Sequence, residues 1–99
     1  MITIKRTSQF DAWFSGIKDG LTKRRLIARL RKVQLGNFGD VKVLEKGICE
    51  MREHFGPGWR MYYVQCSEQL IVMLGGGEKS SQSADIAKAL KTASKIEDL

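Results

Sequence analysis

The stretch from Ile48 to Ser80, ICEMREHFGPGWRMYYVQCSEQLIVMLGGGEKS, constrains this chain more than any other. Two alternating runs flank Gly56-Pro57-Gly58, and a third apolar run ends in glycines and Lys79. Period-two alternation around turn residues predicts an antiparallel sheet. If Gly56-Pro57-Gly58 is a three-residue loop, Phe55 opposes Trp59, His54 opposes Arg60, Arg52 opposes Tyr62 and Glu50 opposes Val64. The other face then pairs Glu53 with Met61 and Met51 with Tyr63. Because side chains alternate along strands, one face is mostly apolar and suited to helix packing. The other gathers Arg52, His54, Arg60 and Tyr62.

The preceding residues read as a strand and two helices. Ile2 and Ile4 alternate with Thr3 and Lys5, and Ser8 is the expected cap of a first helix, with Asp11 as its capping-box partner. Phe10, Trp13, Phe14 and Ile17 recur at helical spacing, so these aromatics read as core. Lys18-Asp19-Gly20 is expected to end that helix and Thr22 to cap the next. The buried stripe of the second helix is predicted as Leu26, Ile27, Leu30 and Val33, with Gly36 as the stop. Gly36 to Gly47 reads as a loop. After Lys79, Ser80-Ser81-Gln82-Ser83 offers caps for a last helix with Ile86, Leu90 and Ala93 on one side, fraying towards Asp98. Strand, two helices, three strands and a helix indicate one α+β domain over residues 1–99: a small antiparallel sheet, an N-terminal helix hairpin on one face, and a C-terminal helix. The helices are expected to cover one sheet face.

The formal net charge of +6 is unevenly spread. Residues 1–50 hold 11 Lys and Arg against 5 Asp and Glu, whereas residues 51–99 hold 6 of each. Lys23, Arg24, Arg25, Arg29, Arg31 and Lys32 follow one another with no acidic residue between them. A solvated helix face ordinarily mixes signs for i,i+4 pairing, so this run points to phosphates or to an acidic protein partner. Cys49 and Cys66 fall on opposite sheet faces, against a disulfide and in keeping with a reducing cytoplasm. Lys5 and Arg6 interrupt any early signal-peptide core, and Leu70–Leu74 is far too short to cross a bilayer. The expectation is a cytoplasmic protein with no membrane partner.

One histidine and two separated cysteines supply neither a metal-ligand cluster nor a Cys–His nucleophile pair, so no cofactor is expected. Gly75-Gly76-Gly77-Glu78-Lys79-Ser80 lacks the adjacent Gly-Lys-Ser of a phosphate-binding loop. The polar sheet face suits another chemistry. RNA is cut without metal when its own 2′-hydroxyl attacks the neighbouring phosphorus. That reaction needs a base, an acid and cations around the transition state. Arg60 and Arg52 are forked donors for phosphate oxygens. Histidine titrates near neutrality, which suits His54 to proton transfer. Tyr62 is a candidate to orient base or phosphate, and Lys79 is a further cation. Three of them also have a plain structural role: His54 as an exposed turn neighbour, Tyr62 packed across from Arg52, Lys79 at the sheet edge; an arginine mid-strand, as at Arg60, is the least easily explained that way.

Gly47-Ile48-Cys49-Glu50-Met51-Arg52, Gly56-Pro57-Gly58-Trp59-Arg60-Met61-Tyr62-Tyr63, and Leu74 to Gln82 with Asp85-Ile86 together resemble the RelE/ParE superfamily of type II toxins. The likeness is to its HigB-like branch of addiction-module killer proteins, and with the helix pair it extends over essentially the whole chain. The resemblance implies a toxin held inactive by an antitoxin from a neighbouring gene. That antitoxin usually carries a helix-turn-helix domain, and the complex contacts operator DNA. It also implies metal-independent cleavage of mRNA on the ribosome, carried by Arg60, then Arg52 and Lys79, with Tyr62 behind them. His54 lies outside the matched signature, so its role rests on the sheet geometry. The ParE side of the superfamily keeps the fold but inhibits DNA gyrase, which leaves a non-enzymatic inhibitor as the alternative. A third possibility is a regulatory binding module without toxicity. The cationic face favours RNA, and the basic second helix suits ribosomal RNA backbone.

Overall fold

The computed structural model describes residues 1–96; the fraying expected towards Asp98 lies outside them. Strand β1 (Thr3–Arg6) leads into helices α1 (Ser8–Ser15) and α2 (Gly20–Gln34). Four strands follow, β2 (Val41–Val43), β3 (Ile48–Arg52), β4 (Trp59–Ser67) and β5 (Leu70–Glu78), and then helix α3 (Gln82–Ser94). They form one five-stranded sheet in the order β1-β5-β4-β3-β2. β1 runs parallel to β5, and the remaining pairs are antiparallel. The α+β architecture is therefore as the sequence indicates, with one additional strand and with a mixed sheet in place of the antiparallel one expected. β2 lies within the segment expected to be loop and pairs Val41 with Met51 and Val43 with Cys49.

Helices cover both faces, not one. Phe10, Ile17, Leu26, Leu30 and Val33 from α1 and its neighbours pack on Met51, Met61, Tyr63, Ile71 and Met73. On the opposite face, Ala89 with Ile86, Leu90 and Ala93 of α3 closes over Ile48, Tyr62 and Leu74. The central strands are thus buried on both sides, which is why β5 reads as a continuous apolar run.

Two of the three glycines of β5 serve these two layers. A Cβ on Gly76 would run into the Trp13 indole, and one on Gly77 would run into the Asp85 carboxylate. These two glycines permit close approach of α1 and α3 to the sheet.

Local caps differ from the expected ones by a residue or a turn. Thr7, not Ser8, caps α1, its Oγ1 accepting from Phe10 N at 3.2 Å. α1 ends at Ser15, and Asp19 caps α2 by accepting from Thr22 N and Thr22 Oγ1. A carboxylate on the residue preceding the helix outcompetes the threonine one turn inside it. Within α2 the buried stripe is Leu26, Arg29, Leu30 and Val33, while Ile27 is exposed.

The β3–β4 register is shifted by two residues from the expected one. Arg52 opposes Arg60, Met51 opposes Met61, Glu50 opposes Tyr62 and Ile48 opposes Val64. The connection is longer than three residues because Gly58 N donates to Phe55 O, closing a turn over 55–58 in which Gly56 and Gly58 both have positive φ. An even shift leaves every side chain on its expected face.

Candidate functional site

The polar sheet face opens at its β3–β4 end into a cleft of about 460 Å³. Arg52 and Arg60 project into it from paired strands, and His54 and Gly56-Pro57-Gly58 line one end. Gln82 lines it from the start of α3, Lys79 from the turn between β5 and α3, and Lys42 from β2. The sequence-predicted Arg52, His54, Arg60 and Lys79 are therefore brought together. Lys79 is held there because its N donates to Gly58 O at 2.9 Å, tying the end of β5 to the turn.

Directly opposed arginines repel unless each has a counter-charge. Arg60 is 5% exposed, and its Nε lies 4.0 Å from Oε1 of the fully buried Glu50. Its Nη1 donates to Glu53 O and Trp59 O. Glu50 Oε2 accepts from Gln82 Nε2 at 2.6 Å, which fastens the first turn of α3 beside Arg60. Arg52 instead donates through Nε and Nη2 to Asp40 Oδ1, at 3.3 and 3.0 Å. The second oxygen of Asp40 lies 2.7 Å from His54 Nε2. Hydrogen bonding by Arg52, and next by His54, holds the Asp40 carboxyl at a pKa of about 2.

Tyr62 occupies a different position from the other candidates. It shares their face, but α3 covers it completely, and it does not line the cleft. Burial first, then the Glu50 and Asp85 carboxylates, push its hydroxyl well above the ordinary tyrosine range. It is therefore a protonated, buried neighbour of Glu50 rather than a group presented to a substrate. Alternation along the strand reveals the face but not which part of it a helix will cover.

The basic run on α2 also divides. Arg24, Arg25, Arg31 and Lys32 are exposed, and Lys23 is half-buried over the Phe14 ring. Arg29 is 9% exposed and turned inward. It donates to Phe38 O, Asp40 O and Arg52 O at 2.8–3.2 Å and pairs with Glu53. It is a clamp between the α2–β2 connection and the end of β3, not part of the exposed basic face. α2 lies on the sheet face opposite the cleft, yet its basic side reaches the same turn from behind, where Arg25 stacks 3.8 Å over the Phe55 ring.

Asp40 and Lys42 were not singled out by sequence, and Gln82 was read only as a helix cap and part of the signature, not as a cleft residue. Lys42, between Val41 and Val43, carried a short alternation signal. Asp40 carried none, because its partners lie 12 and 14 residues away. A roomier groove of about 580 Å³ lies between α1 and α3, lined by Trp13, Leu74, Gly76 and three lysines of the α3 region. None of the candidate residues lines it. Among the described residues, no three His, Cys, Asp or Glu side chains group to hold a metal ion, and no helix is long and apolar enough to cross a membrane.

A small α+β domain with helices on both sheet faces and a cationic cleft at one sheet end is the class that these features define. No family model matches the chain. It belongs to the same family as a Haemophilus influenzae protein described as uncharacterized, which is 40% identical over 95 residues, covering 96% of each chain. Two solved structures share the fold. The conserved hypothetical protein HP0894 of Helicobacter pylori is 19% identical, with a TM-score of 0.56 over 81% of this chain and 97% of its own. A copper-bound mutant toxin from Helicobacter pylori is 20% identical, with a TM-score of 0.54 over 82% of this chain and 98% of its own.

Proposed function

We propose that this protein is the toxin of a type II toxin–antitoxin pair, of the RelE/ParE kind and its HigB-like branch, acting in the cytoplasm as a metal-independent, ribosome-dependent mRNA endoribonuclease. The observation that carries this reading is the convergence of Lys42, Arg52, His54, Arg60 and Lys79 on one cleft. Support for a toxin also comes from the fold shared with the Helicobacter pylori protein whose structure is described as that of a toxin.

Arg60 and Lys79, with Lys42 and Arg52, bind the scissile phosphate and offset the charge that builds on its oxygens. His54 removes the proton from the 2′-hydroxyl, which bonds to phosphorus as the bond to the 5′-oxygen breaks. The Lys79 ammonium returns a proton to that leaving oxygen. The products are a 2′,3′-cyclic phosphate and a free 5′-hydroxyl. Tyr62 supports Glu50 from below. The exposed cations of α2 contact ribosomal RNA. The cognate antitoxin, a helix-turn-helix protein from the adjacent gene, neutralises the toxin and carries it to operator DNA.

The test is expression without the neighbouring gene, with translation initiation blocked in a control, followed by mapping of RNA 5′ ends. New ends are expected in translated messages only. Growth arrest with intact messages and an induced DNA-damage response would instead establish gyrase inhibition.

A further inference from the structure

Asp40 is fixed more firmly than its place on a surface connection requires. Its backbone carbonyl accepts from Arg52 N at 3.0 Å and from Arg29 Nη2 at 2.8 Å. The preceding Gly39 has φ +68°, and a Cβ there would stand 3.2 Å from the Arg29 guanidinium. The buried Arg29 thereby sets where the Asp40 side chain starts. From that point one carboxylate oxygen meets Arg52 and the other meets His54 Nε2 at 2.7 Å. The His54 side chain is 69% exposed, and this carboxylate is its hydrogen-bond partner among the described residues. Solvent exposure alone would leave such a ring free to turn.

We infer that Asp40 is a positioning residue of the cleft: it holds the His54 ring through Nε2, leaving Nδ1 as the proton-accepting nitrogen, and fixes the Arg52 guanidinium beside it. An imidazole nitrogen bonded to a carboxylate serves as donor, so the lone pair is placed on the other nitrogen. This assignment rests on the ribonuclease reading, in which His54 is the base. It also explains a negative charge kept beside a site for a polyanion, where by charge alone it opposes binding.

The single histidine makes the test clean. In the wild-type protein, NMR relaxation of the His54 ring is expected to show restraint, and in Asp40→Ala the ring is released. Equal ring mobility in the two proteins overturns the inference whatever the enzymology. With RNA and ribosomes, Asp40→Ala is expected to lower kcat at least tenfold, bounded by the loss in His54→Ala of about 10²–10⁴-fold. KM is expected to stay level or fall, because a repelling charge has gone. In a His54→Ala background, removing Asp40 should lower kcat much less than in the wild type, the remainder being its hold on Arg52. An unchanged or raised kcat in Asp40→Ala, or additive losses in the double variant, rejects positioning through His54. Asp40→Asn, which keeps the shape but removes the charge from the bond to His54, serves if the alanine variant is unstable: its ring is expected to be looser and its kcat lower than in wild type, and equality in both overturns the inference. Absence of cleavage by wild-type protein, with the ring restrained, removes the ribonuclease reading and with it the catalytic part of this assignment.

Discussion

The Asp85 carboxylate rests in the space that a Cβ on Gly77 would need, and Ser81 Oγ donates to it at 2.5 Å from the same side. This contact brings the first turns of α3 down onto β5 next to the cleft. Gly77→Ala is therefore expected to cost about 1–3 kcal/mol by overpacking, lowering the melting temperature by about 4–8 °C per kcal/mol. Gly75 has open space at its Cβ position, so Gly75→Ala should stay within about 0.5 kcal/mol of wild type. Calorimetry on the two variants checks the pair.

Arg60 and Glu50 are both buried and serve as each other's counter-charge. Replacing Arg60 alone leaves a buried carboxylate without a cation, so Arg60→Met is expected to destabilise by about 3–5 kcal/mol. Adding Glu50→Gln should recover most of that loss in urea titrations, without restoring RNA cleavage. Recovery of cleavage in the double variant would remove Arg60 from the phosphate-binding role. Lys79 is exposed, and Lys79→Ala should lose activity at least tenfold with an unchanged melting curve, the size of loss expected for a transition-state cation.

Asp40 has a folded-state pKa of about 2 against an ordinary 3.8, held down by Arg52 first and His54 next. A carboxyl depressed on folding stabilises the folded state above its unfolded pKa, and that stabilisation is lost as pH falls through the folded value. The window here runs from about pH 4 down to about pH 2. Urea midpoints measured across it should fall less steeply in Asp40→Asn than in wild type.

The exposed and buried arginines of α2 should separate cleanly. Arg24→Ala is expected to leave stability within about 0.5 kcal/mol of wild type and to reduce the salt dependence of RNA binding by about one charge. Arg29→Ala strips the partner from Glu53 and from three carbonyls, and is expected to cost about 3–5 kcal/mol. Equal stability of the two variants would show that the Arg29 clamp contributes nothing.

These contrasts mark how far the sequence can be followed. Which side chains share a face was legible, because a register error of two residues preserves alternation, and Arg52, His54 and Arg60 stayed together. Phe10 and Ile17 were legible as core from helical spacing alone. Arg29 was also within reach: it sits three residues after Leu26 and four before Val33, on the buried stripe, whereas Ile27 lies to one side. Its charge hid its position. Asp40 had no local pattern to read and the Val41-Lys42-Val43 alternation was too short to mark β2, since both are set by partners distant in the chain. The depth of Tyr62 depended on where α3 lands, which strand alternation does not encode.

The parallel pairing of β1 with β5 has a consequence for the order of events during synthesis. The first strand made has no sheet partner until Leu70–Met73 has emerged, and α3 follows later still. Closing such a long chain segment is entropically slow to reward, so β1 is recruited to the sheet late. The cleft, which needs β4 together with Lys79 and Gln82, is thus completed only after the whole sheet has been made. Before that point the cationic side chains that converge on the cleft are apart, so no partial chain presents them as one site.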